Sequence, residues 1–117
     1  MAKPRFSADE PIEIEKWKFD GWENAKNAAD LLRRAHVVRI LYYLDRRDMR
    51  PAELERELDS QARPILAALE RLIDVGLVER RRVNRQCVHY CLTGDGQELI
   101  PLLRILGDWF GELDRDV

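Results

Sequence analysis

The densest chemistry in this 117-residue chain lies between Arg80 and Cys91. Arg80, Arg81, Arg82 and Arg85 stand with Asn84 and Gln86 in a stretch that holds no acid. A guanidinium is planar, permanently charged and offers its N–H groups in a fixed fork that matches phosphate and carboxylate. Several together favour a polyanion, because each phosphate they neutralise releases counterions, with a log–log salt slope of about −0.9 per contact. If the stretch is a strand, alternation turns Arg81 away from Arg80 and Arg82. The competing reading is a charged hairpin that is merely solvated.

Cys87, His89 and Cys91 follow at alternate positions. On one strand they share a face at a spacing of about 6.8 Å. Tetrahedral zinc wants four ligand atoms within about 2.0–2.3 Å of the metal, and one short strand converges poorly on such a point. Cysteines filling space near the next helix is the preferred reading, with metal or redox sensing the alternative, and no metal or other cofactor is expected. His36 lies in an apolar helical stretch and reads as a partly buried structural histidine. There is no Gly-rich phosphate loop, no nucleophile beside a base and no paired carboxylates, so an enzyme is not expected.

These groups need elements to position them. Residues 1–21 read as an N-terminal arm broken by Pro4 and Pro11, with a short strand expected at Ile12–Glu15. Its aromatic residues Trp17 and Phe19, with Trp22 just beyond, are candidates for packing on their own domain or on a partner subunit. From Trp22 to Asp45 the apolar spacing is helical, and a bend near Arg34-Ala35 makes two helices. Arg46–Arg50 is a connector. Pro51 suits the first position of a short helix, Pro51–Leu58, with Leu54 and Leu58 on one face. Asp59 or Ser60 is the expected N-cap of a second helix, Gln61–Val75, with an apolar stripe of Ile65, Leu66, Leu69, Leu72 and Ile73. Gly76 ends it. Leu77–Arg82 and Cys87–Leu92 read as strands around a tip of Val83–Gln86, with Val88, Tyr90 and Leu92 facing one way and the cysteines and His89 the other. Thr93 caps a long terminal helix, with Asp95 in its first turn and Pro101 early in its length.

A short helix, a tight turn and a second helix is helix-turn-helix spacing. A helix fits the major groove, and a basic hairpin beside it lies along a flanking backbone or minor groove. The outward positions of Gln61–Val75 are expected to be Gln61, Ala62, Arg63, Pro64, Ala67, Ala68 and Arg71. Gln61, Arg63 and Arg71 can read base edges, whereas the alanines offer methyl contact only, so phosphates and DNA shape should carry much of the binding.

At these residues the sequence resembles a family. Leu69–Val78 looks like the L-x-x-L-x-x-x-G-L-V junction of ArsR, MarR and HxlR-type winged-helix regulators. Tyr90, Leu92, Thr93, Gly96, Leu99, Pro101, Leu103, Leu106 and Trp109 fit the HxlR-like pattern Y-x-L-T-x-x-G-x-x-L-x-P-x-L-x-x-L-x-x-W. Arg39-Ile40-Leu41 looks like the helix that precedes the helix-turn-helix in ArsR-like proteins. The resemblance spans roughly Leu31 to Trp109. The chain departs from it in lacking the Cys-Pro and Gly-Gly-Lys-Trp stretches of HxlR-type proteins and the Cys-x-Cys metal pair of ArsR-type proteins, so neither redox nor metal sensing carries over.

The resemblance implies a mainly α fold with a small antiparallel β-hairpin, a winged helix-turn-helix with N- and C-terminal dimerisation helices. With the arm (1–21) read from its own residues, the chain is expected to divide further into a winged helix-turn-helix domain (22–92) and a C-terminal dimerisation helix (93–117). The resemblance also implies a homodimeric, sequence-specific regulator that binds double-stranded DNA, with a repressor the expected role. The DNA-binding residues would be Gln61, Arg63, Arg71, Arg80, Arg81, Arg82, Asn84, Arg85 and Gln86. The dimer interface would hold Trp22, Leu99, Leu102, Leu103, Leu106, Trp109, Phe110 and Leu113. A winged helix that binds another protein, with weak or no DNA binding, is the alternative. Trp17, Phe19, Trp22, Trp109 and Phe110 could also line a pocket for a small aromatic effector.

Formal net charge is −2. Local field governs what a surface attracts, and from Thr93 onward the acids Asp95, Glu98, Asp108, Glu112, Asp114 and Asp116 face only Arg104 and Arg115. A basic patch beside an acidic tail is compatible with DNA. No apolar run approaches a membrane span or a signal peptide, which points to the cytoplasm.

Overall fold

A computed structural model describes residues 20–115. The chain divides into two compact units, residues 1–34 and 35–117. The expected strand at Ile12–Glu15, together with Trp17 and Phe19, lies outside the described residues. In the first unit the described part is one helix, α1 (Trp22–Leu32), with Gly21 at its N-cap and no buried residue. It closes with Arg33 N–H donating to Ala29 O at 3.0 Å, and the helical path stops where the sequence places a bend.

The second unit runs α2 (Val37–Arg46), α3 (Pro51–Leu58), α4 (Ala62–Asp74), β1 (Val78–Asn84), β2 (Cys87–Leu92) and α5 (Gly94–Arg115). Helix α2 is the hub, packing against α3, α4, β2 and α5. Its buried face is Val37, Ile40, Leu41 and Leu44. Leu54 and Leu58 of α3 and Ile65, Ala68, Leu69 and Leu72 of α4 complete the helical part of the core. An eight-residue helix such as α3 is not stable alone, and this burial is what holds it.

Two expectations for α4 are corrected. Ala68 is buried, whereas Leu66 is 41% exposed. The core face therefore runs through Ile65, Ala68, Leu69 and Leu72, with the small Ala68 taking the place assigned to a large residue. Neither Asp59 nor Ser60 caps α4: Gln61 holds that position with no side-chain hydrogen bond to the helix.

Asp59 has a different task. It adopts a left-handed conformation (φ 48°) at the end of α3. There its N–H donates to Arg56 O and the Ser60 N–H donates to Glu55 O at 3.1 Å, the two bonds of a Schellman turn. Helix α4 ends in the same way with Gly76 at φ 81°. The Gly76 N–H donates to Ile73 O at 3.0 Å and the Leu77 N–H to Leu72 O at 2.9 Å. A side chain at positive φ costs about 1 kcal/mol or more, so glycine suits this position.

The strands pair antiparallel, with Val78 opposite Leu92 and Arg82 opposite Val88. The register slips between Arg82 and Asn84, leaving Val83 as the extra residue of a bulge. The turn itself is Arg85-Gln86, shorter than the four-residue tip expected. Asn84 builds it, its Oδ1 accepting the Gln86 N–H at 2.9 Å. Met49 adds a third edge by exchanging backbone hydrogen bonds with Tyr90. Tyr90 and Leu92 are buried on one face of β2 and Cys91 on the opposite face.

Thr93 joins the two halves of this unit. Its hydroxyl donates to Gly76 O at 2.6 Å and accepts the Gly96 N–H at 3.1 Å. It thus caps α5 and fixes α5 to the end of α4. Helix α5 then runs unbroken through Pro101. Among the described residues no helix is long and apolar enough to cross a membrane.

Candidate nucleic-acid interface

Gln61, Arg63 and Arg71 are exposed on α4 and its N-cap, as are Ala62, Pro64 and Ala67. The Schellman turn at Gly76 leads directly from this helix into β1, so the helix and the hairpin are separated by a fixed corner rather than a linker. Arg80, Arg82, Arg85 and Gln86 are all exposed. None of these three arginines makes an ion pair among the described residues. Register places Arg80 opposite Tyr90 and Arg82 opposite Val88, so both belong to the face that carries the buried residues nearer the hairpin base.

Arg81 is different. It lies on the other face, opposite His89, and pairs with Glu79 at 2.9 Å. The hydrogen bond to Glu79 is the main cause that raises its pKa. Its charge is therefore partly neutralised within the protein. Asn84 has its carbonyl oxygen engaged in the hairpin turn, leaving its amide N–H groups as donors.

Cys87, His89 and Cys91 do not converge on a point. No group of three His, Cys, Asp or Glu side chains able to hold a metal occurs among the described residues. Cys91 is buried with its Sγ 3.5 Å from Glu79 Oε1. Burial, and then the bond to Glu79, pushes its thiol pKa up, which keeps it protonated and unreactive.

A second pair of arginines stands in the segment that the sequence presents as a connector. Arg47 Nη1 is 2.6 Å from Glu53 Oε2, and Arg50 Nε is 3.3 Å from Glu53 Oε1. The Arg50 backbone N–H also donates to Glu53 Oε1 at 3.1 Å. That backbone bond, then the Arg47 guanidinium, pulls the Glu53 carboxyl down to about 2. The hydrogen bond to Glu53, and after it the Cys87 thiol at the start of β2, raise the Arg50 pKa. The sequence carries a signal for the Glu53 backbone bond: an acid three residues after the N-cap, with proline at the first helical position, is half of a capping box.

The candidate dimer residues divide by exposure. Leu99 and Leu103 are half-buried within the unit. Leu102, Leu106, Trp109, Phe110 and Leu113 are exposed, with Phe110 at 64%, and Ile105 joins them at 66%. Trp22 of α1 is also exposed. This is a continuous apolar stripe on α5 that its own unit leaves in water.

A helix pair at helix-turn-helix spacing followed by a hairpin with an edge contributed by Met49 defines a winged helix-turn-helix protein, the architecture of DNA-binding transcriptional regulators. Residues 31–116 match the HxlR-like helix-turn-helix family, and the chain belongs to that family. Among curated proteins no sequence match was found. Several solved structures share the fold. A MarR-family transcriptional regulator from Enterococcus faecalis V583 superposes with a TM-score of 0.76 at 25% identity, over 83% of this chain and 91% of that one. Quinone-bound YodB from B. subtilis gives 0.68 at 21% identity, over 77% and 98%. The homodimeric winged helix-turn-helix DNA-binding domain of Mb0332 from Mycobacterium bovis gives 0.64 at 20% identity, over 91% and 94%.

Proposed function

We propose that this protein is a sequence-specific, double-stranded DNA-binding transcriptional regulator that acts as a homodimer, as a repressor and without enzymatic activity, in the cytoplasm. The observation that carries the proposal is the pairing of an exposed Gln61 and Arg63 at the start of α4 with unpaired Arg80, Arg82 and Arg85 on a hairpin rigidly joined to its end. Helix α4 enters the major groove, where Gln61, Arg63 and Arg71 meet base edges. The wing lies along the flanking backbone, with Arg80, Arg82 and Arg85 on phosphates, Asn84 and Gln86 as neutral donors, and Arg81 in a weaker role because Glu79 holds it.

In this reading residues 22–92 are the DNA-binding module and 1–21 an arm. The helix in 93–117 provides the dimer interface through Leu99, Leu102, Leu103, Leu106, Trp109, Phe110 and Leu113, with Trp22 contributing from α1. An apolar stripe of this kind is the usual mark of a contact surface, and a two-fold dimer presents two recognition helices to half-sites about 34–36 Å apart.

Selection of bound duplexes from a random pool tests the proposal. The expected product is a pseudo-palindrome, and Gln61→Ala or Arg63→Ala should change the selected bases. Failure to enrich any sequence would overturn it.

The exposed Leu66, with Ala62, Pro64 and Ala67 beside it on α4, supports a second reading in which this helix docks a protein. Titration with random duplex at low salt separates the two, since a protein-docking module would show no salt-dependent DNA binding.

A further inference from the structure

Among the described residues only two non-glycine residues hold a positive φ, His36 at 69° and Asp59 at 48°. Backbone strain of this kind persists only where surrounding contacts enforce it. The two sites are linked. His36 Nε2 lies 3.2 Å from the hydroxyl of Ser60, the residue immediately after Asp59. His36 is also the N-cap of α2, its carbonyl accepting the Ile40 N–H at 2.8 Å. One hydrogen bond thus ties the start of the hub helix to the turn between α3 and α4.

The tie matters because of what the turn lacks. Its α3 side is held by the Schellman bonds from Asp59 and Ser60. Its α4 side has no side-chain cap. A serine just before a helix would ordinarily offer its hydroxyl to the first-turn N–H groups. Here the Ser60 hydroxyl is within reach of His36 and, at 3.4 Å, of its neighbour's carbonyl, Gln61 O. The start of α4, where Gln61 is the N-cap and Arg63 lies in the first turn, is therefore held by the buried Ile65 and by the turn's attachment to α2.

We infer that His36 is a positioning residue for DNA recognition: through Ser60 it fixes where Gln61 and Arg63 stand. The inference rests on the regulator reading given above, but concerns discrimination between sequences and not overall attraction to DNA. The wing arginines, which supply sequence-independent affinity, are not touched by the contact.

The test compares affinity for a duplex selected from a random pool by the wild-type chain with affinity for random duplex. Variants are His36→Ala, His36→Gln, Ser60→Ala and the double His36→Ala/Ser60→Ala, each checked by its urea midpoint. His36→Ala should lower the selected-to-random ratio about three- to ten-fold, the range that a single hydrogen bond commands, and leave random-duplex affinity unchanged. Glutamine places an amide at about the reach of Nε2 and should restore most of the ratio. Ser60→Ala should cost little more once His36 is gone, since the two act through one contact. A contact that only stabilises the fold would lower the midpoint and leave the ratio alone, and that result overturns the inference. So would additive losses, or failure of glutamine to rescue. A wild-type chain that selects no duplex ends the regulator reading and this inference together. Selection by the wild type with ratios unchanged in the variants ends this one alone.

Discussion

Replacing Arg80, Arg82 and Arg85 together with alanine removes three exposed charges that no carboxylate in the described structure holds. If each neutralises one phosphate, the log–log salt slope of binding falls by at most about 2.7 per bound protomer, and by twice that for a dimer. Over a four-fold change in salt, from about 50 to 200 mM, the lost sensitivity is roughly 40-fold in affinity per protomer. Arg81→Ala is the internal comparison. Its guanidinium is 2.9 Å from Glu79 and on the other face of the strand, so its slope change should be a small fraction of that of Arg82→Ala. Fluorescence anisotropy with a labelled random duplex, titrated at several salt concentrations, reads both. Stability should stay within about 0.5 kcal/mol of the parent because the side chains are exposed and unpaired. An unchanged slope in the triple variant, or an Arg81→Ala effect as large as that of Arg82→Ala, would refute the placement of the wing on DNA.

Three other perturbations have defined outcomes. Gly96→Ala should abolish or severely reduce folding, seen as loss of a cooperative urea transition, because a methyl there overlaps the Leu77 carbonyl oxygen, which the chain cannot move cheaply. Glu53→Gln should destabilise the protein by about 1 kcal/mol at pH 7, the full shift being screened by water around half-exposed guanidiniums. The Glu53 carboxyl falls from 4.5 to about 2 on folding; its contribution is complete above about pH 4.5 and fades as pH drops towards 2. Urea midpoints across that range should show variant and parent converging in acid. Ile105→Glu and Phe110→Glu place charge on the exposed stripe of α5 and should turn a dimer into a folded monomer by sedimentation velocity; a parent chain that is itself monomeric at micromolar concentration would remove the dimer from the proposal.

The helices are legible in the sequence because their apolar spacing, proline at the start of α3 and glycine after α4 are local signals with local causes. The break between α1 and α2 and the span of α3 match the sequence reading for that reason. The features that escape it depend on partners far along the chain. Ser60 looks like a cap, and only the approach of His36 shows where its hydroxyl goes. Ala68 and Leu66 differ by two positions on one helix, and the choice of which faces inward is made by the packing of α2 and α3, which no periodicity contains. The spacing of Glu53 from the N-cap marks half of a capping box, but the closing of Arg47 and Arg50 on its carboxylate has no local signal.

The arginine run shows why composition is a poor guide to a binding surface even when the element is identified. Four guanidiniums within six positions suggest one patch, yet alternation sends Arg81 to the other face and Glu79 engages it. Arg50, on a separate segment, is likewise engaged by a carboxylate of its own, Glu53. A surface is assembled by pairing between strands, so its charge is the sum over residues that the register brings together, less those already satisfied. Here that leaves Arg80, Arg82 and Arg85 as the charges available to a backbone, on a corner whose angle to α4 is set by Gly76 and Thr93. The acidic balance of the whole chain is a poor guide to this surface, because the excess carboxylates belong to the segment from Thr93 onward and local field governs what a surface attracts.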